Sequence, residues 1–165
     1  MIVTEIIIDM VFAAIAGMGF GAISNPPIRS FKFIAILASV GHVLRYVLMN
    51  YFDINISTAS FFGALLVGFG SIILGRRNKV PATVLSIPAL LPMIPGKFAY
   101  NMVFSLIMFM QNLDNDELKA KFMDMFFSNT IIAGSTLFLL AAGVSLPMLM
   151  FPKYTLSFTR NSKYY

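Results

Sequence analysis

His42 and Arg45 stand three residues apart in the apolar stretch ILASVGHVLRYVLM. This spacing places both side chains on one face of a helix. An arginine at the centre of a membrane helix costs about 2.5–3.5 kcal/mol on insertion scales, so it should face a cavity or a partner. A titratable imidazole beside a fixed cation suits a proton-linked site for an anion. A structural pair that binds neighbouring helices, or an arginine near the outer surface of the membrane, explains the same spacing.

Asp9 lies in the first apolar stretch of the chain and is the nearest acidic residue in the sequence that could balance Arg45. Charged side chains inside a membrane usually pair with one another. We therefore treat Asp9 as a candidate ion-pair or proton-relay residue, although both residues could also lie towards the outer surface.

A second set of candidates surrounds the prolines of the stretch between Val80 and Met110. A straight helix of about 30 residues would measure about 45 Å, against a hydrocarbon core of about 30 Å. Pro92 and Pro95 remove backbone donors and Gly96 adds a flexible point, so we predict a break near Pro95–Gly96. Broken helices in transporters place freed backbone groups at the substrate site. A kinked helix without a ligand, or an interfacial stretch before an ordinary span, is the alternative.

Lys97, Tyr100 and Asn101 follow the predicted break. Lys97 and Asn101 are one turn apart on a helix, with Tyr100 beside them. A cation with neighbouring hydrogen-bonding groups could bind a carboxylate. If Lys97 lies near a membrane surface, it extends its ammonium group to water and has no further role.

The elements that carry these residues must be membrane helices. Hydrophobic residues make up 58% of the 165 and charged residues 12%, whereas a soluble domain carries about 25% charged residues. About 20 residues are needed per crossing, so the chain has room for four to six spans in a single transmembrane domain over residues 1–165. No nucleophile–base pair is recognisable, and with no cysteine and one histidine we expect no enzyme activity, metal site or cofactor.

Five continuous apolar segments predict an all-α membrane protein with about five spans, the fourth of them broken at the proline–glycine motif. Acidic residues from Asp114 to Glu117, followed by apolar residues at helical spacing, predict a short interfacial helix before the last span. The five segments are approximately Ile2–Ser24, Phe31–Tyr51, Ile56–Leu74, Val80–Met110 and Met125–Phe151.

Connections rich in Lys and Arg alternate with connections that are not. Because basic connections lie in the cytoplasm, this predicts an outer N-terminus and a cytoplasmic C-terminus. The first and third connections and the tail are basic, whereas the second carries only Asp53 and the fourth is mainly acidic. The net charge of +5 is dispersed, so we expect no nucleic-acid partner. The basic residues are Arg29 and Lys32; Arg76, Arg77 and Lys79; and Lys153, Arg160 and Lys163.

Small residues predict close helix packing in two places, the run Gly17–Gly21 and the set Gly63, Ala64, Gly68 and Gly70. Asn25, Pro26 and Pro27 predict a helix end followed by a rigid turn.

Three stretches together resemble the threonine/serine exporter family, and in particular the small subunit of its split, two-component form, of which a bacterial succinate exporter is an example. They are SNPPIRSFKFIAILASVGHVLRYVLM, IPALLPMIPGKFAYNM and SNTIIAGSTLFLLAAGVSLPML. The ordered combination of an Asn-Pro turn before Arg29, G-H-x-x-R and P-x-x-P-G-x-x-x-Y is specific, although one extra residue spreads the first element. The residues that match the family pattern are Gly41, His42, Arg45, Pro92, Pro95, Gly96 and Tyr100.

The resemblance implies export of a small polar metabolite across the bacterial cytoplasmic membrane, together with a larger membrane subunit. The leading hypothesis is a secondary exporter subunit, proton-coupled, for a carboxylate such as succinate, threonine or serine. We expect a hetero-oligomer that contains one or several copies of this chain. Two alternatives are a scaffold subunit without substrate contacts and a homo-oligomeric channel.

Overall fold

The computed structural model of the protein describes residues 2–152, in which six α-helices and two short 3-10 turns form and no strand occurs. The all-α prediction is therefore confirmed. The turns are Ile28–Ser30 and Leu91–Met93, and Lys153, Arg160 and Lys163, used to predict the topology, lie outside the described residues. The helices are α1 (Ile2–Ile23), α2 (Phe31–Tyr51), α3 (Ile56–Asn78), α4 (Ala82–Leu90), α5 (Gly96–Gln111) and α6 (Asp116–Met150).

Helices α1, α2, α3 and α6 are each long and apolar enough to cross a membrane. The α4 and α5 pair makes a fifth crossing if the two are counted as one span. Helix α4 has nine residues and would be about 14 Å long, too short to cross the core of about 30 Å alone. The prediction of about five spans, with the fourth broken, agrees with this arrangement.

The break in the fourth span follows from its prolines. Pro92 lies in the 3-10 turn after α4, and Pro95 is the residue that precedes α5. The Gly96 amide bonds the Ile94 carbonyl at 2.8 Å instead of continuing the helix. Pro92 and Pro95 both lack an amide hydrogen, so this short stretch loses two backbone donors that lie three residues apart.

The predicted interfacial helix before the last span is present as helix but not as a separate element. Helix α6 runs without interruption from Asp116 to Met150. The Asn115 side chain accepts a bond from the Leu118 amide at 3.1 Å and caps its start. No glycine or proline stands between Asp116 and Gly134, so nothing in this part of the sequence separates the first turns from the span.

The chain divides into two compact units. The first contains the residues up to Met93 and those from Leu139 onwards. In this unit the short helix α4 packs against α1, α2 and α3. Leu85, Ala89 and Met93 are completely buried in a core that they share with Ile34 and Val67. A helix too short to span is thus surrounded by three longer ones.

Glycines allow this close packing. A Cβ atom on Gly41 of α2 would lie 2.6 Å from a Val67 methyl group, and one on Gly63 of α3 would lie 2.9 Å from the Gly41 carbonyl oxygen. On α1, a Cβ atom on Gly17 would lie 2.8 Å from the Cβ of Ala38, whereas one on Gly19 would meet nothing within 4 Å. The predicted packing role holds for Gly17 and Gly63 but not for Gly19.

The second unit runs from Ile94 to Phe138 and contains α5 and the first part of α6. The rings of Phe104 and Phe122 meet edge to face with centroids 6.5 Å apart, and Tyr100 stacks on Phe104 at 6.2 Å. Aromatic contacts thus join the two helices of this unit.

Candidate functional site

A chain of polar contacts links α1 and α2 within the first unit. Asp9 Oδ2 on α1 lies 2.6 Å from His42 Nδ1 on α2. On its other side, His42 Nε2 lies 2.8 Å from Arg45 Nη2. The structure therefore brings together Asp9, His42 and Arg45, three of the candidates selected from the sequence.

The two neighbours of His42 determine which ring nitrogen carries the hydrogen in the neutral ring. A guanidinium group only donates hydrogen bonds, so the Nε2 atom that faces Arg45 must accept and carries no proton. The proton of the neutral ring is then on Nδ1, which donates to the Asp9 carboxylate. In this arrangement His42 links the Asp9 carboxylate to the Arg45 guanidinium group.

Arg45 also contacts the end of the broken span. Its Nη1 donates to the Met93 carbonyl oxygen at 2.7 Å, and Met93 closes the 3-10 turn that follows α4. The last carbonyls of a helix have no partner within the helix and carry its partial negative charge. Arg45 thus binds the last carbonyl of the turn that follows α4 with one nitrogen and His42 with another.

The cluster is only partly shielded from the surroundings. The side chains of His42 and Asp9 are 14% and 27% exposed. The contact between them is therefore partly buried, with the carboxylate more exposed than the imidazole.

A second contact between the same helices was not identified from the sequence. Tyr46 donates its hydroxyl hydrogen to Glu5 Oε2 at 2.7 Å. Glu5 precedes Asp9 by four residues on α1, and Tyr46 follows His42 by four on α2. The same four-residue spacing on α1 and α2 could have predicted this contact. Residues four apart lie on one face of a helix, so when Asp9 faces His42, Glu5 can face Tyr46.

The Met93 carbonyl was also missed, because a sequence does not show which backbone group is left without a helical partner. Pro92, a sequence candidate, is the residue before Met93 in the same turn. The proline-rich break therefore contributes through a main-chain oxygen.

The remaining candidates lie at the start of the second unit. Pro95 precedes α5, Gly96 is its first residue, and Lys97 and Tyr100 lie in its first turns with exposed side chains. The Asn101 carbonyl accepts a bond from the Ser105 hydroxyl at 2.5 Å. The helix places Lys97 and Asn101 on one face, as predicted. A role for these residues in substrate binding stays a prediction.

Among the described residues, no group of three or more His, Cys, Asp or Glu side chains is placed to hold a metal ion.

Comparison with known proteins gives one family. The model of the family described as "Threonine/Serine exporter, ThrE" matches residues 9–150. An uncharacterized protein of Haemophilus influenzae is 33% identical over 147 residues, which cover 89% of this chain and 48% of that protein. The chain thus spans about half the length of this curated relative. No solved structure matches the chain.

Proposed function

The chain belongs to the threonine/serine exporter family, and we propose that it is one subunit of a secondary exporter for a small carboxylate-bearing metabolite. The family match over residues 9–150 supports transport as the general activity. The helices long enough to cross a membrane support a multi-pass location in the lipid bilayer. The more specific points that follow, namely the substrate, the coupling and the partner, are parts of the proposal.

The observation that carries the proposal is the chain of contacts from Asp9 through His42 and Arg45 to the Met93 carbonyl. A guanidinium group has five N–H donors, and the two bonds of Arg45 use two of them. Its planar shape matches a carboxylate, which it can bind through two parallel bonds. We propose that a substrate carboxylate binds at Arg45 beside the open end of α4.

The carboxylate class includes C4-dicarboxylates such as succinate and the hydroxyl amino acids threonine and serine. All of them offer a carboxylate to Arg45. A second anionic group distinguishes the dicarboxylate from the amino acids. We separately propose Lys97, Tyr100 and Asn101 on α5 as substrate-binding or translocation residues.

We propose that transport is coupled to protons at His42, and the hydrogen bonds of its ring support this proposal. A proton added to Nε2 removes the acceptor for Arg45 and creates two neighbouring cations, so the 2.8 Å contact between them must open. The freed Nη2 donors would then be available to a carboxylate. Proton binding at His42 and anion binding at Arg45 are in this way coupled through one hydrogen bond.

Few other charged groups lie near His42. Asp9 faces it from α1, and Glu5 with Tyr46 lies one turn further along the same two helices. Helix α4 carries no charged residue, and the charged residues of α3, Arg76 and Arg77, are at its end. They are 13 or more residues from Gly63, which packs beside Gly41, and so about 20 Å away.

We further propose a larger membrane subunit as the partner, with the complex in the bacterial cytoplasmic membrane. The relative in Haemophilus influenzae carries about as much sequence outside the matched part as within it. The alternating basic connections support an outer N-terminus and a cytoplasmic C-terminus. One or several copies of this chain would assemble with the partner.

The test is efflux of labelled succinate and threonine from cells that express this chain alone, the larger subunit alone, or both. Export of one solute only when both chains are present would support a two-component exporter and identify its substrate class. Export by this chain alone would instead indicate a homo-oligomeric channel. Absence of export of either solute under all conditions would contradict the proposed substrates.

A scaffold subunit without substrate contacts is the second candidate, and one observation favours it. Arg45 already binds a helix end and a histidine, which is a structural role that needs no ligand. Efflux that persists at full rate when Arg45 is replaced, in a complex that still assembles, would favour the scaffold.

A further inference from the structure

An apolar groove lies along α2 and α3 on the surface of the first unit. It has a volume of about 780 Å³ and is lined by side chains that include Leu37, Val40 and Leu44 of α2 and Leu66, Phe69 and Ile73 of α3. These α2 residues recur at three- and four-residue intervals, so they form one continuous stripe. Several lining residues are well exposed, with Ile73 at 59% and Val40 at 46%.

A second cavity continues the groove towards the C-terminal end of α3. Its volume is about 590 Å³, and it shares Phe69 and Ile73 with the first cavity. Phe151 forms part of its wall, with its ring 6.3 Å from that of Phe69. The two cavities together extend along α3 from Phe62 to Arg77, a rise of about 22 Å.

The far end of the second cavity is basic. Arg76 and Arg77 line it directly below the apolar side chains of Ile72 and Ile73. Both arginine side chains are exposed, and neither α2 nor α3 contributes an acidic side chain to the groove. The groove is therefore apolar for most of its length and carries two arginine side chains at one end.

The length of the groove matches that of an acyl chain. Between Phe62 and Ile73 the groove follows about 17 Å of α3. One leaflet of the hydrocarbon core is about 15 Å deep, so an acyl chain whose headgroup lies at Arg77 would reach well into the first cavity.

We propose that this groove is a binding site for an anionic phospholipid, with the phosphate at Arg76 and Arg77 and an acyl chain along Phe69 and Ile73. Basic residues next to membrane helices attract anionic headgroups by about 1 kcal/mol each, and the apolar walls contact the acyl chain through van der Waals packing. This site is separate from the Asp9–His42–Arg45 cluster, and its existence does not depend on the proposed transport activity.

The test is native mass spectrometry of the purified full chain with equal amounts of phosphatidylglycerol and phosphatidylcholine that have identical acyl chains. We expect phosphatidylglycerol adducts to exceed phosphatidylcholine adducts about tenfold or more, since two arginines contribute. The double variant Arg76→Gln/Arg77→Gln should bind the two lipids about equally. Equal binding by the unaltered chain would overturn the proposal.

A matched control removes two positive charges elsewhere. Arg29→Gln/Lys32→Gln changes the net charge by the same amount outside the groove and should keep the preference for phosphatidylglycerol. If this control loses the preference to the same extent, the effect is one of general charge and the site is refuted.

A photo-crosslinking amino acid is placed at position 73 of a chain that keeps Arg76 and Arg77. Irradiation in membranes then identifies the molecule that occupies the groove. A phospholipid adduct on the intact protein supports the proposal. Crosslinks to a second polypeptide in place of lipid would show that the groove is a helix-docking surface and would overturn it.

Discussion

Arg45 has two partners, the Met93 carbonyl and His42 Nε2, and they lie on different nitrogens of one planar group. Only a guanidinium offers donors at this separation in a fixed plane, whereas the ammonium of lysine is a compact point charge on a flexible chain. The identity of the residue, and not only its charge, is therefore important at this position.

We predict that Arg45→Lys lowers transport about tenfold or more and reduces the stability of the chain. The variant keeps the charge but cannot hold both partners, and one hydrogen bond to a charged group contributes about 1.5–3 kcal/mol. Efflux normalised to the amount of protein in the membrane, and thermal unfolding in detergent, measure the two effects. Arg29→Lys is the matched control and should resemble the unaltered chain; full activity and stability of Arg45→Lys would contradict the prediction.

His42 has a neighbour on each ring nitrogen, and a change in its protonation must break one of the two contacts. We predict that His42→Gln retains assembly but flattens the dependence of efflux on pH, because a carboxamide donates and accepts but does not titrate. Efflux measured across pH 5.5–8.5 tests this expectation. A variant whose pH profile matches that of the unaltered chain would exclude His42 as the coupling residue.

The C-terminal end of helix α4 needs hydrogen-bond donors from outside the helix. The helix is nine residues long, is mostly buried among α1, α2 and α3, and ends at a proline-rich turn. Its terminal carbonyls need donors, which lipid does not supply. Arg45 on α2 donates to the Met93 carbonyl in the turn that follows α4, so the position of this turn and the position of Arg45 depend on each other.

Helix α1 must approach α2 closely for Asp9 to reach His42, and Gly17 allows this approach. We predict that Gly17→Ala destabilises the chain by about 1–3 kcal/mol, because its Cβ would lie 2.8 Å from the Cβ of Ala38. Gly19→Ala is the matched control. Nothing lies within 4 Å of its added Cβ, so alanine should be neutral or stabilise the helix by up to about 1 kcal/mol. Thermal unfolding of both variants tests this prediction. Equal changes in stability for Gly17→Ala and Gly19→Ala would contradict the packing role of Gly17.

At the scale of the whole molecule, the α4 and α5 pair determines the side of the membrane on which the following connection lies. It is either one broken span or a re-entrant hairpin, and the two alternatives place the connection between α5 and α6 on opposite sides of the membrane. The acidic character of that connection, which contains Asp114, favours the broken span with this connection outside.

The sequence contains no cysteine, so a single introduced cysteine reports the side of the membrane on which it lies. We predict that Asp53→Cys and Asn115→Cys react with a membrane-impermeant maleimide in intact spheroplasts, whereas Asn78→Cys reacts only after permeabilisation. Labelling of Asn115→Cys only after permeabilisation would establish a re-entrant pair. Labelling of Asn78→Cys from outside would reverse the proposed orientation of the chain.

The sequence by itself determined the properties that depend on length, composition and local spacing. Continuous apolar segments of about 20 residues predicted the spans, and Pro95 with Gly96 located the break, because bilayer thickness and the missing amide of proline act on consecutive residues. The three-residue spacing of His42 and Arg45 correctly placed both on one face of α2.

Only the tertiary structure decided which of the candidate groups meet. Asp9 and His42 are 33 residues apart, and Arg45 and Met93 are 48; their contacts depend on how α1, α2 and α4 pack. The sequence likewise did not indicate that α6 continues from Asp116 through the last span, or that Glu5 pairs with Tyr46. Contacts between distant segments arise from the combined packing of several helices, and no local pattern of residues specifies them.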